Sequence, residues 1–180
     1  MKLMFASDIH GDYDCALATL DAYRAEKAEK LILLGDILYH GPRNDLPEGY
    51  APKKVIELLN QNKNELVCVR GNCDTEVDQM VLNFPVLAEY CILYVGSCMI
   101  FATHGHNFNL DKLPPIKKGD ILLHGHTHVP KCEKTDACVY LNPGSVSIPK
   151  ENSAHGYMTL DENVFEWKNL DGEVYNRYEI

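Results

Sequence analysis

Three short apolar runs constrain the fold most: Lys2–Ser7, Leu31–Leu34 and Leu66–Val69. Each ends in a polar cluster, namely Asp8-Ile9-His10, Gly35-Asp36 and Gly71-Asn72-Cys73-Asp74. Between the first two, Tyr13, Leu17 and Leu20 follow helical spacing, with Asp12 placed as an N-cap. Between the next two, a Gly- and Pro-rich loop from His40 to Tyr50 leads to Pro52. Val55, Ile56, Leu58 and Leu59 then form a second apolar helical face. The order β-α-β-α-β predicts a parallel sheet with helices packed on it, within one domain spanning residues 1–180. Functional groups in such sheets gather beyond the carboxyl ends of the strands, where Asp8, His10, Asp36 and Asn72 fall.

The second half changes character. Val86–Val95 and Cys98–Ala102 read as two strands, followed by Thr103-His104-Gly105-His106. The run Ile121–Leu123 reads as a buried strand feeding into His124-Gly125-His126-Thr127-His128. Alternate side chains of an extended backbone point the same way, so His126 and His128 are expected to project together, Cα atoms roughly 6.5 Å apart. Segments around Cys132, Val139, Tyr157, Phe165 and Val174 read as short strands with hairpin turns.

Composition narrows the function. Hydrophobic residues form 46% of the chain, enough for a sizeable core. No apolar stretch is long enough to span a bilayer, and the N-terminal run is too short for a signal peptide. With seven cysteines and no C-x-x-C pair, free thiols in a reducing cytoplasm fit best. The formal net charge of −9 argues against nucleic-acid or anionic-membrane binding through bulk charge.

At the expected strand ends stand Asp8, His10, Asp36, Asn72, His104, His126 and His128. Oxygen and nitrogen donors without thiolate suit Mn²⁺, Fe²⁺, Zn²⁺ or Mg²⁺. Seven protein ligands exceed what one ion takes; with one carboxylate bridging, each of two ions receives four. Two divalent ions against two carboxylates leave a local charge of about +2, an anion trap in an acidic protein. A water on such ions becomes hydroxide near neutral pH, which suits in-line hydrolysis of a phosphate ester.

The ordered series Asp8-Ile9-His10, Gly35-Asp36, Gly71-Asn72-Cys73-Asp74, Thr103-His104-Gly105-His106 and Gly125-His126-Thr127-His128 resembles the calcineurin-like metallophosphoesterase family. His40-Gly41-Pro42-Arg43-Asn44 and Asn142–Pro149 resemble its small bacterial phosphodiesterase subgroup. The resemblance implies an α/β fold of two packed β-sheets flanked by helices, an αββα sandwich. It places Asp8, His10, Asp36 and His128 on one ion, and Asp36, Asn72, His104 and His126 on the other. It implies Mn²⁺ as the preferred metal, a small phosphodiester as substrate, and a homodimer as the assembly compatible with the subgroup.

One departure concerns catalysis. Many members carry histidine where this chain has Cys73, and a thiol of reference pKa about 8.5 is a different acid. His106 stands as its replacement or as support for the ligands. Arg43 is expected to clamp phosphate oxygens, with Asn44 a weaker candidate for the same task. His40 is read as structural, Asp74 as orienting His10 or a nearby loop. His124 is read as a buried, hydrogen-bonded histidine, Asn142–Ser145 as a tight supporting turn, and His155 as surface or packing. The leading expectation is a metal-dependent phosphodiesterase with catalytic Asn72, Cys73, His106 and Arg43. A phosphomonoesterase or pyrophosphatase on the same site, or a binding scaffold like the retromer subunit of similar fold, are the alternatives.

Overall fold

The computed structural model describes residues 1–180. Strand β1 (Lys2–Ala6), helix α1 (Tyr13–Glu26), strand β2 (Lys30–Leu33), helix α2 (Pro52–Gln61) and strand β3 (Leu66–Cys68) realise the expected β-α-β-α-β unit. β1, β2 and β3 pair in parallel. Asp12 caps α1 by accepting the Cys15 N–H through Oδ1 at 2.9 Å. Pro52 opens α2, where its missing N–H costs nothing.

Beyond a short helix α3 (Glu76–Val81) the chain is all β: β4 (Tyr90–Val95), β5 (Cys98–Thr103), β6 (Ile121–His124), β7 (Lys131–Lys134), β8 (Val139–Asn142), β9 (Gly156–Asp161), β10 (Val164–Asn169) and β11 (Val174–Glu179). β9 returns beside β1 and extends the first sheet to six strands, ordered β11-β10-β9-β1-β2-β3. The second sheet is ordered β4-β5-β6-β8-β7. Both sheets mix parallel and antiparallel pairs.

The two-residue period of the strands divides the core. Leu3, Phe5, Ile32 and Leu34 face the second sheet and meet Ile100, Ala102, Ile121, Leu123 and Leu141. Met4, Ala6, Leu31 and Leu33 face the other way, against α1 and α2. The outer face of the second sheet carries Phe101 and Leu122, covered by Phe108, Leu110 and Ile116. The layers are therefore helices, sheet, sheet and a loop of residues 105–118; the helices all precede residue 82.

Two expectations need correction. Val86–Val95 is not one strand: pairing starts at Tyr90. Pro85 lacks an N–H for a ladder, and the Val86 N–H is taken by the Gln79 side chain at 2.9 Å. Helix α3 was not anticipated, although Thr75 and Asp78 form a capping box before it.

Candidate metal centre

The ends of β1, β2, β3, β5 and β6 converge on one place. Five of the seven candidate ligands have left-handed backbone conformation: Asp8 (φ 59°), His10 (49°), Asp36 (55°), His126 (66°) and His128 (62°). Asp and His adopt this region more readily than most residues, yet it still costs about 1–2 kcal/mol each. Such a concentration is characteristic of functional sites. It also corrects the expectation for His126 and His128. β6 ends at His124, so strand alternation does not reach them; the two separate groups they join are the division that the family resemblance implies.

One group is Asp8, His10 and His128, all buried. The two Nε2 atoms lie 3.3 Å apart, and Asp8 Oδ1 is 3.3 Å from His128 Nε2 and 3.7 Å from His10 Nε2. A second is Asp36, His104 and His126, and a third, His10, Asp36 and Cys73, overlaps both. His104 Nε2 lies 3.4 Å from Asp36 Oδ2, 3.1 Å from His126 Nδ1 and 3.0 Å from Asn72 Oδ1. Asp36 Oδ2 is also 3.8 Å from His10 Nε2, so this carboxylate stands between the groups.

Backbone carbonyls fix the rings. The Nδ1 atoms of His10, His104 and His128 face the carbonyls of Tyr39 (2.8 Å), Leu34 (2.6 Å) and Ile148 (2.7 Å). Each Nδ1 therefore keeps its proton, so each ring, once its Nε2 proton is displaced, presents an Nε2 lone pair to the centre. Two such lone pairs cannot face each other at 3.3 Å without a proton or cation between them. Donors bound about 2.0–2.2 Å from one ion are about 2.8–3.6 Å apart at angles from about 90° to 109°. The shorter separations here match that spacing, and Asp8 Oδ1 has no hydrogen-bond partner of its own. The donor set fits divalent metal on three counts: spacing, tautomer and an orphaned carboxylate oxygen.

The ionisation states follow from the same contacts. Burial opposes ionisation of Asp8, but His10 and His128 outweigh it and hold the carboxyl well below its usual range. Burial also opposes charging of His104; the Asp36 hydrogen bond and the Asp8 charge overcome it and raise the ring to about 9. His10 is raised against burial by Asp8. His126 is pushed down to about 4 by burial and by its neighbour His104.

A buried framework holds the loops. Ser145 and Ser147 hydroxyls both donate to the Asp8 carbonyl, at 2.9 and 2.8 Å. The Asn142 amide donates to the Gly125 carbonyl and to Thr127 Oγ1, while Trp167 Nε1–H donates to the Asn142 carbonyl at 2.7 Å. The Asn142–Ser145 turn thus supports the ligand loops. Gly71 and Gly125 are required by close approach: a Cβ would sit 2.1 Å from Asp36 Oδ1 at the first and 1.9 Å from Ser7 Oγ at the second.

Asp74 orients a loop, and its partners are the Asp36 (2.8 Å), Ile37 (2.9 Å) and Gly71 (2.7 Å) N–H groups rather than His10. Asp74→Ala leaves these three donors without their acceptor, each loss costing about 1–3 kcal/mol. The urea midpoint is expected to fall by an amount equivalent to at least ~2 kcal/mol; an unchanged midpoint would show that Asp74 does not hold this loop.

A polar cavity of about 380 Å³ opens onto the centre. Asp36, Asn72, Cys73 and Arg43 line it, as does Lys150, which sequence reasoning passed over. Asn44 lines it too, but its amide is spent on the His40 carbonyl at 2.8 Å, which stiffens the turn carrying Arg43. His106 does not line the cavity; its ring lies behind, 5.4 Å from that of His104 between centroids. His40 sits edge-on between Tyr39 and Tyr50. His124 is buried and stacked on Tyr140, with Nδ1 3.0 Å from the Gly125 carbonyl; burial pushes it down to about 4. His155 is exposed, its Nδ1 2.8 Å from the Val146 carbonyl.

Known proteins resemble this arrangement closely. The chain is 48% identical over 164 residues to the phosphodiesterase YfcE of Escherichia coli strain K12, covering 91% of this chain and 89% of that one. The solved structure of YfcE superposes with a TM-score of 0.95 over the whole of both chains, at 45% identity. A phosphodiesterase of Methanocaldococcus jannaschii is 24% identical over 152 residues, covering 80% of this chain and 83% of that one. Residues 1–163 match the family model of the calcineurin-like phosphoesterase superfamily domain. By that match and its extent, the chain belongs to the calcineurin-like phosphoesterase superfamily and is an enzyme of the metallophosphoesterase class.

Proposed function

We propose that the chain is a metal-dependent phosphodiesterase that hydrolyses a small diester by in-line displacement at a dinuclear centre. Asp8, His10, Asp36 and His128 would hold one ion, and Asp36, Asn72, His104 and His126 the other. The observation that carries this reading is the pair of facing imidazole contacts, 3.3 and 3.1 Å, on either side of Asp36. Bound divalent metal, with Mn²⁺ favoured by the subgroup resemblance, supplies Lewis acidity and an activated water at neutral pH. The similarity to YfcE, a phosphodiesterase by name, supports the diester over a monoester or pyrophosphate.

The chain's own residues take the remaining tasks. Arg43 offers a planar fork of donors to the non-bridging phosphate oxygens. Asn72 orients its amide between His104 and the cavity. Cys73 Sγ lies 3.3 Å from the Asn72 amide nitrogen. Burial and the Asp36 charge push this thiol up to about 12, so it stays protonated and is a poor acid for the leaving alkoxide. His106 acts from behind His104 as a positioning residue, and water completes the proton transfer. No helix is long and apolar enough to cross a membrane, and the seven cysteines are free, in keeping with a cytoplasmic site of action. A homodimer belongs to the same reading through the subgroup resemblance.

Hydrolysis of bis-p-nitrophenyl phosphate is expected with Mn²⁺ and is expected to vanish with chelator. The matching monoester should turn over more slowly on the same preparation. Activity that resists chelation would overturn the metal requirement; a faster monoester would favour the monoesterase.

A further inference from the structure

Lys150 is the cavity residue that the ligand series leaves unexplained. Its main chain is tied to the centre: the Lys150 N–H donates to the His128 carbonyl at 3.1 Å, and the Lys150 carbonyl accepts from the Ser153 N–H at 3.0 Å. Glu151 and Asn152 then reverse the chain with φ of 56° and 57°. The lysine is thus presented from a fixed turn, with its side chain exposed to the cavity it shares with Arg43.

Two features of the cavity limit its occupant. Neither Arg43 nor Lys150 has a carboxylate within ion-pair distance, and Asp36 is the only carboxylate among the eleven lining residues. A phosphodiester carries one negative charge, and Arg43 alone can pair with it. A second unpaired cation calls for a second anion. Apart from the imidazoles of His126 and His128, which belong to the metal centre, no aromatic ring and no branched aliphatic side chain lines the cavity, so no Phe, Tyr or Trp face is offered to a nucleobase.

We propose that the substrate is a small diester whose polar alcohol carries a second anionic group, a carboxylate or a phosphate, and that Lys150 binds that group. This rests on the phosphodiesterase reading above. It makes Lys150 a specificity-determining residue.

The test uses Mn²⁺-loaded protein and three p-nitrophenyl phosphodiesters of similar size, bearing a propyl, a 2-carboxyethyl or a 2-phosphoethyl group. At least one anionic ester is expected to exceed the propyl ester in kcat/KM by about tenfold, equivalent to ~1.4 kcal/mol. The larger ratio identifies carboxylate or phosphate as the group. Lys150→Ala should bring the ratio close to one, and Lys150→Arg should keep it. Calorimetry gives a second readout: 3-phosphoglycerate should bind more tightly than glycerol 3-phosphate, or a bisphosphorylated glycerol more tightly than both, with the preference lost in Lys150→Ala. Ratios of one in the unaltered protein, or a preference that survives Lys150→Ala, would overturn the proposal. Hydrolysis of none of the three esters would instead overturn the phosphodiesterase reading.

Discussion

Asp36→Asn is expected to lower hydrolysis of bis-p-nitrophenyl phosphate by more than about 100-fold while leaving the fold intact. Loss of a group that merely orients a metal ligand already costs about 10–100-fold, and Asp36 faces both histidine groups at once. Asparagine keeps the local structure for two reasons. It tolerates the left-handed backbone at this position, where φ is 55°. Its side-chain oxygen can still accept the Cys73 N–H, now 2.8 Å from Asp36 Oδ1. What changes is the other oxygen, which becomes a donor amide turned toward His10 and His104 Nε2. Circular dichroism should be unchanged while kcat/KM collapses. Undiminished turnover in this variant would remove Asp36 from the centre of the mechanism.

Metal loading is expected to stabilise the protein, and by more at pH 8 than at pH 6. At a free Mn²⁺ concentration of about 100 times Kd, binding contributes about 2.7 kcal/mol, or roughly 5–10 °C in Tm for a chain of this size. Without metal, His104 is raised to about 9 and His10 is also raised above the ordinary 6.5. Their protonation therefore stabilises the fold fully below the unfolded pKa and is lost as pH rises through the folded pKa. Asp8 and Asp36, both lowered, stay ionised across this window and add no slope. His124 and His126, both lowered to about 4, and His106, also lowered, act with the opposite sign: the unfolded chain binds protons that these rings refuse, so their penalty fades as pH rises and offsets the loss from His104 and His10. Metal displaces the protons on His104 and His10, so the stabilisation it contributes should grow between pH 6 and 8 whatever the slope of the metal-free protein. Urea midpoints at the two pH values, with chelator and with Mn²⁺, measure both slopes; parallel slopes would contradict the proton–metal exchange.

The parts of this molecule visible in its sequence are those governed by local period and residue type. The β-α-β-α-β unit was legible because Leu31–Leu33 and the faces of α1 and α2 follow simple spacings. The seven donors were legible because they follow apolar runs. What they do in space was less so. His126 and His128 occupy alternate positions, yet their φ values of 66° and 62° separate them into different groups, and no periodicity announces a left-handed residue. The partners of Asp74 were hidden for a related reason, since it caps the backbone of a loop 37 and 38 residues away. Lys150 escaped because its place in the cavity depends on a main-chain bond to the His128 carbonyl, a contact between two loops with no motif. Helix α3 did carry a signal, the Thr75–Asp78 capping box, which its short apolar content obscured.

The central claim is a two-ion centre sharing Asp36, and metal counting tests it most directly. Protein stripped with chelator and titrated with Mn²⁺ should bind two ions per chain, with diesterase activity following occupancy and Asp36→Asn binding fewer. Saturation at one ion or none, with full activity, would contradict it.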